Sequence, residues 1–199
     1  FVFNDSMVLD ITLNPDFSQV ESDEPQVTVN ERFEVQFPER RPFFVENADF
    51  FATDSILLFT RRIVDPEGGV RFTGRSGDYG FGTILINDEA PGLNRDANDS
   101  LNGEKASIGI LRGFRDISEQ SRVGCFLRDR EFGDGYNRVA SVDARIKLND
   151  NWITNIQLVG SDSEPALGGD ATTGYQRNIQ INHTGRTVSS HTHFVETTD

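Results

Sequence analysis

The sequence predicts an all-β protein, an antiparallel up-and-down meander forming part of an outer-membrane β-barrel, with an irregular N-terminal insert. Three observations predict it. From Gly69 onward, short segments of alternating polarity recur between clusters of Gly, Asn and Asp, and no stretch sustains the 3.6-residue period of a helix. The connections between these segments alternate in length, short then long. The segments themselves divide into one apolar and one wet face.

Taken in order, the first strand is Met7 to Leu13. Asn14-Pro15-Asp16 then signals a turn, because the residue before a proline avoids the helical region and Asp bonds its own downstream backbone. The Phe-, Pro- and acid-rich stretch from Asn14 to Ser55 is too long for a turn and reads as a plug-like or rim insert within a single partial-barrel domain spanning 1–199. A strand over Ile56 to Ile63 is expected to close it. Further strands follow at 70–76, 79–87, 105–115, 122–131, 137–148, 152–160, 174–183 and 187–196. Gly77-Asp78, Asp116 to Ser121, Asn149 to Asn151 and Thr184 to Arg186 are the short connections, whereas Asp88 to Glu104 and Ser161 to Thr173 are long and polar and Phe132 to Tyr136 is intermediate. Outer-membrane barrels have this asymmetry, with tight turns at the periplasmic rim and long loops outside. Greek-key sandwiches have no reason to show it.

The faces separate most clearly in Asn137 to Leu148, where Ala140, Val142, Ala144, Ile146 and Leu148 oppose Ser141, Asp143, Arg145 and Lys147. Trp152, Thr154, Ile156 and Leu158 oppose Ile153, Asn155, Gln157 and Val159, and Tyr175, Ile179 and Ile181 oppose Gln176, Asn178, Gln180 and Asn182. Trp152 and Tyr175 sit at strand ends, where an interfacial aromatic girdle is expected. Arg177, and Arg112 in the row of Ile108, Ile110 and Phe114, interrupt the apolar side. On this phasing Val142 faces lipid. Asp143 faces a hydrated lumen, where an amide in its place is expected to cost little.

A net charge of −13 excludes nucleic acid as a partner, since no basic excess exists to displace phosphate counterions. No apolar run approaches the length of a membrane-spanning helix. Cys125 is the only cysteine, so neither an internal disulfide nor a cysteine-based zinc site is available. The chain begins with Phe and carries no signal-peptide pattern, and it reads as a mature or excised segment.

Catalytic and metal chemistry find little support. Glu39 with Glu46 is the most natural carboxylate pair for glycoside hydrolysis, but loop charge paired with Arg40 and Arg41 is the better reading. Asp16, Glu21, Asp23 and Glu24 lack the spacing of a calcium loop. His191 and His193 share a strand face, while His183 falls on the opposite one, so no metal triad is expected. No nucleophile elbow, phosphate loop or dinucleotide fingerprint occurs. No catalytic residue, metal or cofactor is therefore assigned. The five phenylalanines between Phe37 and Phe51 read as a packing anchor, Phe being more typical of cores than of sugar-stacking platforms.

Two motifs, LDITLNPDFSQVE at Leu9 to Glu21 and FPERRPFFVE at Phe37 to Glu46, closely resemble an uncharacterised family of bacterial envelope proteins. In that family a carbohydrate-binding family 9-like domain precedes a large domain of unknown function that looks like an outer-membrane barrel. The resemblance continues through Leu58 to Ile63, Phe72 to Arg75, Tyr136 to Val139 and Asn149 to Trp152, with mild departures at Val45 and Asn47. It implies that this chain is an internal piece of the barrel-like domain, lying in the bacterial outer membrane with membrane lipid as its partner. Polysaccharide would be a partner through a binding module upstream. The family offers motif residues of unknown role: Asn14, Pro15, Asp16, Phe17, Gln19 and Glu21 in the first motif, then Phe37, Pro38, Glu39, Arg41, Pro42, Phe43, Phe44 and Glu46 in the second, with Arg61 and Arg62 after them. The function expected is a membrane anchor, and a pore if the lumen is open. A membrane-associated polysaccharide hydrolase and a soluble β-sandwich carbohydrate-binding module are the alternatives.

Counting strand directions, with 56–63 as a strand, puts the insert at the rim of the Gly77-Asp78 turn. Glu39, Arg40, Arg41 and Glu46 are then expected to meet lumen charges such as Asp143 and Arg145.

Overall fold

A computed structural model describes residues 2–4, 6–15 and 39–198, with the backbone alone for 2–4. The chain forms one antiparallel sheet of ten strands whose spatial order is their sequence order. The strands are β1 (Val2–Asn4), β2 (Met7–Leu13), β3 (Pro66–Ser76), β4 (Tyr79–Asp88), β5 (Ala106–Ser118), β6 (Ser121–Phe132), β7 (Gly135–Asn149), β8 (Trp152–Glu164), β9 (Thr172–Thr184) and β10 (Ser189–Thr198). The all-β antiparallel meander is the fold. Among the described residues, helical turns of three or four residues lie in the connections, at Pro42–Val45, Ala48–Phe51, Thr60–Arg62 and Ala90–Leu93. Among the described residues the sheet is open, with β10 hydrogen-bonded to β9 alone.

Hairpin chemistry sets the register. Gly77, at φ +58, supplies the left-handed residue that the two-residue β3–β4 turn requires, and Ser76 pairs directly with Tyr79. From there the ladder runs regularly to Gly68↔Asn87, so every second residue of each strand shares a face with its partner's.

The sheet has a crowded and an open face. A Cβ added at Gly80 would lie 2.1 Å from the Phe114 ring and one at Gly82 would lie 2.7 Å from Phe51, whereas one at Gly160, on the other face, would meet nothing within 4 Å. Side chains converge on the first face and splay on the second, so the first is concave. The main hydrophobic core lies there, where Phe43, Phe44, Phe51 and Ile63 of the insert pack on Ile84, Ile86, Ile108, Ile110 and Phe126. Burying each such side chain is worth roughly 1.5–3 kcal/mol, enough to hold an irregular segment against a sheet. A smaller cluster of Leu101, Ala106 and Phe132, with Ala166 against it, ties down the loops at one rim.

Three expectations from the sequence are corrected. Residues 56–63 are extended coil followed by a helical turn at Thr60–Arg62, because Leu57, Leu58 and Ile63 are drawn into the core instead of alternating between faces. With that strand removed, β2 connects to β3 from the rim opposite the Gly77 turn. Asn14 donates its N–H to the Glu67 carbonyl at 2.6 Å there, and Pro66 pairs with Asp88 at the head of the long β4–β5 loop. The insert therefore enters at the long-loop rim. The row of Arg112 with Ile108, Ile110 and Phe114 is likewise no interruption of the outer face, since it lies on the concave side and receives the insert.

The convex face is the exposed one. Leu85, Leu111, Leu127, Val142 and Leu158 form a band across five neighbouring strands and are each 45–58% exposed. Their concave-side neighbours Ser141 and Gln157 are 5% and 0% exposed. On β7 and β8 polar residues are thus buried and apolar ones exposed, the reverse of a water-soluble sheet, whereas the concave side of β4 to β6 is apolar beneath the insert. Aromatic rings stand at both ends of this face, Tyr79 and Trp152 at the tight-turn rim and Tyr136 and Tyr175 towards the long-loop rim. Charges interrupt this face too: Arg177 stands directly opposite Leu158 within the band, and Arg115 lies over the Tyr79 ring with no ion pair among the described residues. Arg138 meets Asp129 and Glu131 at 3.3 Å each, and Arg177 meets Glu196 at 3.4 Å while lying over the Tyr175 ring. No helix among the described residues is long and apolar enough to cross a membrane.

Candidate functional site

The described part of the insert, residues 39–65, occupies the concave face, and its geometry begins with the second motif. Pro42 opens a helical turn, where its fixed φ suits the first position and its missing N–H costs nothing. Arg41, 2% exposed, is held on every side. Its Nε and Nη2 donate to Glu39 at 2.9 and 2.8 Å, Nη1 donates to the Ile63 carbonyl and Nη2 to the Thr60 carbonyl, and the guanidinium lies 4.4 Å from the Phe44 ring centroid. Thr60 donates its hydroxyl to Glu39. Burial alone would raise the Glu39 carboxyl, but the hydrogen bonds of Arg41 and Thr60 outweigh it and hold the pKa down at about 2. This knot joins residues 39–41 of the insert to Thr60 and Ile63 near its end.

Three further contacts fix the insert to the sheet. Arg71 on β3, 1% exposed, donates to the Glu46 carbonyl and pairs with Asp10 of β2 at 2.6 Å. Phe51 lies on the Gly82 backbone, and Phe50 packs on Phe114 with ring centroids 5.8 Å apart. At the tip, Ser55 donates its N–H to Gln157 Oε1 on β8 at 2.5 Å, and its Oγ accepts from Asn178 Nδ2 on β9 at 3.2 Å. Partial burial of the tip and the like charge of Asp143 push the neighbouring Asp54 carboxyl up, against the pull of Arg145. One segment thus bonds to sheet residues from β3 to β9.

Of the motif residues, Glu39, Arg41, Pro42, Phe43, Phe44 and Glu46 are brought together here, and Arg61 and Arg62 lie in the Thr60–Arg62 turn. Asn14 and Pro15 end β2 at the long-loop rim, away from this group. Asp16, Phe17, Gln19, Glu21, Phe37 and Pro38, with the acidic positions Asp23 and Glu24, lie outside the described residues. Glu39 and Glu46 do not form a facing pair, as Glu39 is bound to Arg41 while Glu46 is 62% exposed beside Arg71. The expected meeting of insert charges with Asp143 and Arg145 is corrected as well. Asp143 takes both terminal nitrogens of the buried Arg112, and Arg145 contacts Asn155. Glu39 and Arg41 bind each other within the insert, and Glu46 stands beside Arg71 of β3. His191 and His193 bond to Asn182 and Asn178 on the concave side, whereas His183 stacks on Trp152 on the convex side. The described residues hold no group of three or more metal-ligating side chains.

Arg71, Arg112, Gln157 and Asn178 escaped the sequence reading as anchoring residues. The only signal of Gln157 and Asn178 was membership of the wet face, shared with many residues that anchor nothing, whereas Arg112 stood in a row read as apolar and Arg71 in a strand with no face assigned. No curated protein and no solved structure matches the chain. The stretch 1–73, which holds β1, β2, both motifs, the insert and most of β3, is similar to a family described as a domain of unknown function, DUF5916.

Proposed function

We propose that this chain is a sector of a bacterial outer-membrane β-barrel that anchors a carbohydrate-binding envelope protein, with residues 39–65 filling part of its lumen. The observation that carries the reading is the inverted sheet. A band of exposed Leu, Val and Ile side chains, bordered by Tyr and Trp, covers the convex face, while Arg, Asp, Gln and Asn lie on the concave one. An exposed apolar surface of this extent needs a partner, and lipid matches a band with aromatic ends whose inner charge, Arg177, is paired with Glu196. The seated insert makes the domain an occupied anchor rather than an open channel. The link to carbohydrate rests on the resemblance of the two motifs, both within the stretch that matches the domain of unknown function.

Trp152, the only tryptophan, stands on the convex face at the tight-turn rim and is 38% exposed, so it reports directly on lipid contact. In vesicles of brominated lipid its fluorescence should be quenched more by bromine near the glycerol end of the acyl chains than by bromine at their centre. Absence of quenching at either depth, with the chain remaining dissolved outside the vesicles, would overturn the membrane reading.

A further inference from the structure

Between the end of the insert and the concave face lies a cavity of about 380 Å³ whose described lining is Leu58, Phe59, Arg62, Ile63, Ile108, Ile110, Arg128, Arg130 and Asn137. Three arginines line it and none of these residues is acidic, in a chain of net charge −13. The charges of Arg62, Arg128 and Arg130 act on one another across it. Arg128 and Arg130, two residues apart on one face of β6 and against the apolar wall of Ile108 and Ile110, make a position where an anion relieves repulsion.

The donors are placed for one. Arg128 is oriented by a 2.6 Å hydrogen bond from Nη2 to Asn137 Oδ1 and reaches the Leu57 carbonyl only at 3.5 Å, which leaves most of its donor capacity unused. Arg130 lies two residues along the same strand on the same face and is half-buried, and no hydrogen bond or ion pair joins it to a described residue. Asp88 is the acidic group whose field reaches Arg130. Its oxygens already accept from the amides of Val64, Asp65 and Ala90.

We infer that this cavity binds a small oxyanion, a carboxylate, sulfate or phosphate, through Arg128 and Arg130, with Arg62 adding charge and Asn137 holding Arg128 in place. The volume takes a single sugar ring beside the anionic group, and Leu58, Phe59 and Ile63 give that ring an apolar floor. A planar guanidinium pair recognises an oxyanion bidentately, which separates this ligand class from neutral sugars. The inference is independent of what covers the convex face.

Titration calorimetry on the full folded chain, with glucuronate, inorganic sulfate and glucose as probes, tests it. Glucuronate or sulfate should bind saturably and glucose should not. Binding of glucuronate assigns the site to a sugar acid, and binding of sulfate alone assigns it to a free anion. Arg130→Gln should weaken the interaction at least about tenfold, the worth of one charge-assisted contact. Arg138→Gln on the convex face should leave it unchanged. Should Arg130→Gln fail to fold, Asn137→Asp provides the second arm, because it keeps an acceptor for Arg128 while placing a carboxylate in the site, and binding should again be lost. Failure of both anions to bind, equal binding of glucose, or binding that survives both substitutions would overturn the inference.

Discussion

Asp143 and Arg145 share the wet face of β7 two residues apart, yet substitution should separate them sharply. Arg112 is 2% exposed and gives both terminal nitrogens to Asp143, so Asp143→Asn leaves a buried guanidinium facing a neutral amide. Breaking such a pair should cost about 2–4 kcal/mol, against the near-neutral outcome that the wet-face assignment alone suggests. Arg145 is exposed and touches Asn155 only at 3.5 Å, so Arg145→Gln should stay within about 0.5 kcal/mol. Equilibrium unfolding of both variants checks this, and equal losses would show that Arg112 does not depend on Asp143. Glu39 provides the corresponding test by pH. Its folded pKa of about 2 lies below the ordinary 4.5, so its contribution is complete above about pH 5 and disappears as the pH falls towards 2. The difference amounts to a few kcal/mol, on the order of 3. Glu39→Gln should therefore be less stable than wild type at pH 6 and should lose less stability on acidification to pH 2. Parallel pH profiles for the two proteins would remove Glu39 from the acid limb.

At the scale of the elements, each strand states its own orientation through its alternation, and β7 can be challenged directly. Val142→Lys puts a charge in the middle of the convex band, where lipid makes it cost roughly 2–4 kcal/mol. The same substitution is nearly free if water covers that face. Comparing folded yield in vesicles with that of wild type distinguishes the cases, and unchanged yield would mean that β7 does not face lipid. Strands β2 and β4 to β10 were legible because period-two alternation and turn residues are local properties. Residues 56–63 were misread for the opposite reason. Ile, Leu and Phe in succession fit a buried strand or a buried coil equally well, and contacts with Ile84, Ile108 and Phe126 select the coil. The early start of β3 escaped because Gly68 and Gly69 carry no side chain to show a face.

For the whole molecule, the open edge of β10 and the apolar convex band govern behaviour in water. Val195 and Phe194 on β10 are 49% and 53% exposed, and among the described residues that strand has a hydrogen-bonded partner on one side only. Diluted from denaturant into buffer, the chain should aggregate. Diluted into micelles or vesicles, it should gain strand signal in far-ultraviolet circular dichroism and stay in the supernatant on sedimentation. A monodisperse folded monomer in detergent-free buffer would contradict the exposed band's assignment to lipid.

The sequence by itself determined the all-β class, the order of the hairpins, the two faces of strands such as β7 and β8, and the presence of an irregular Phe-rich insert, since each follows from residues that are neighbours along the chain. Only the tertiary structure decided which rim the insert enters, which rows of the sheet it covers and which arginine meets which carboxylate. Ser55 meets Gln157 across 102 residues and Arg112 meets Asp143 across 31. Such pairings depend on curvature and close packing, which no local pattern encodes, so a wet-face residue that anchors the insert looks the same in the sequence as one that meets only water.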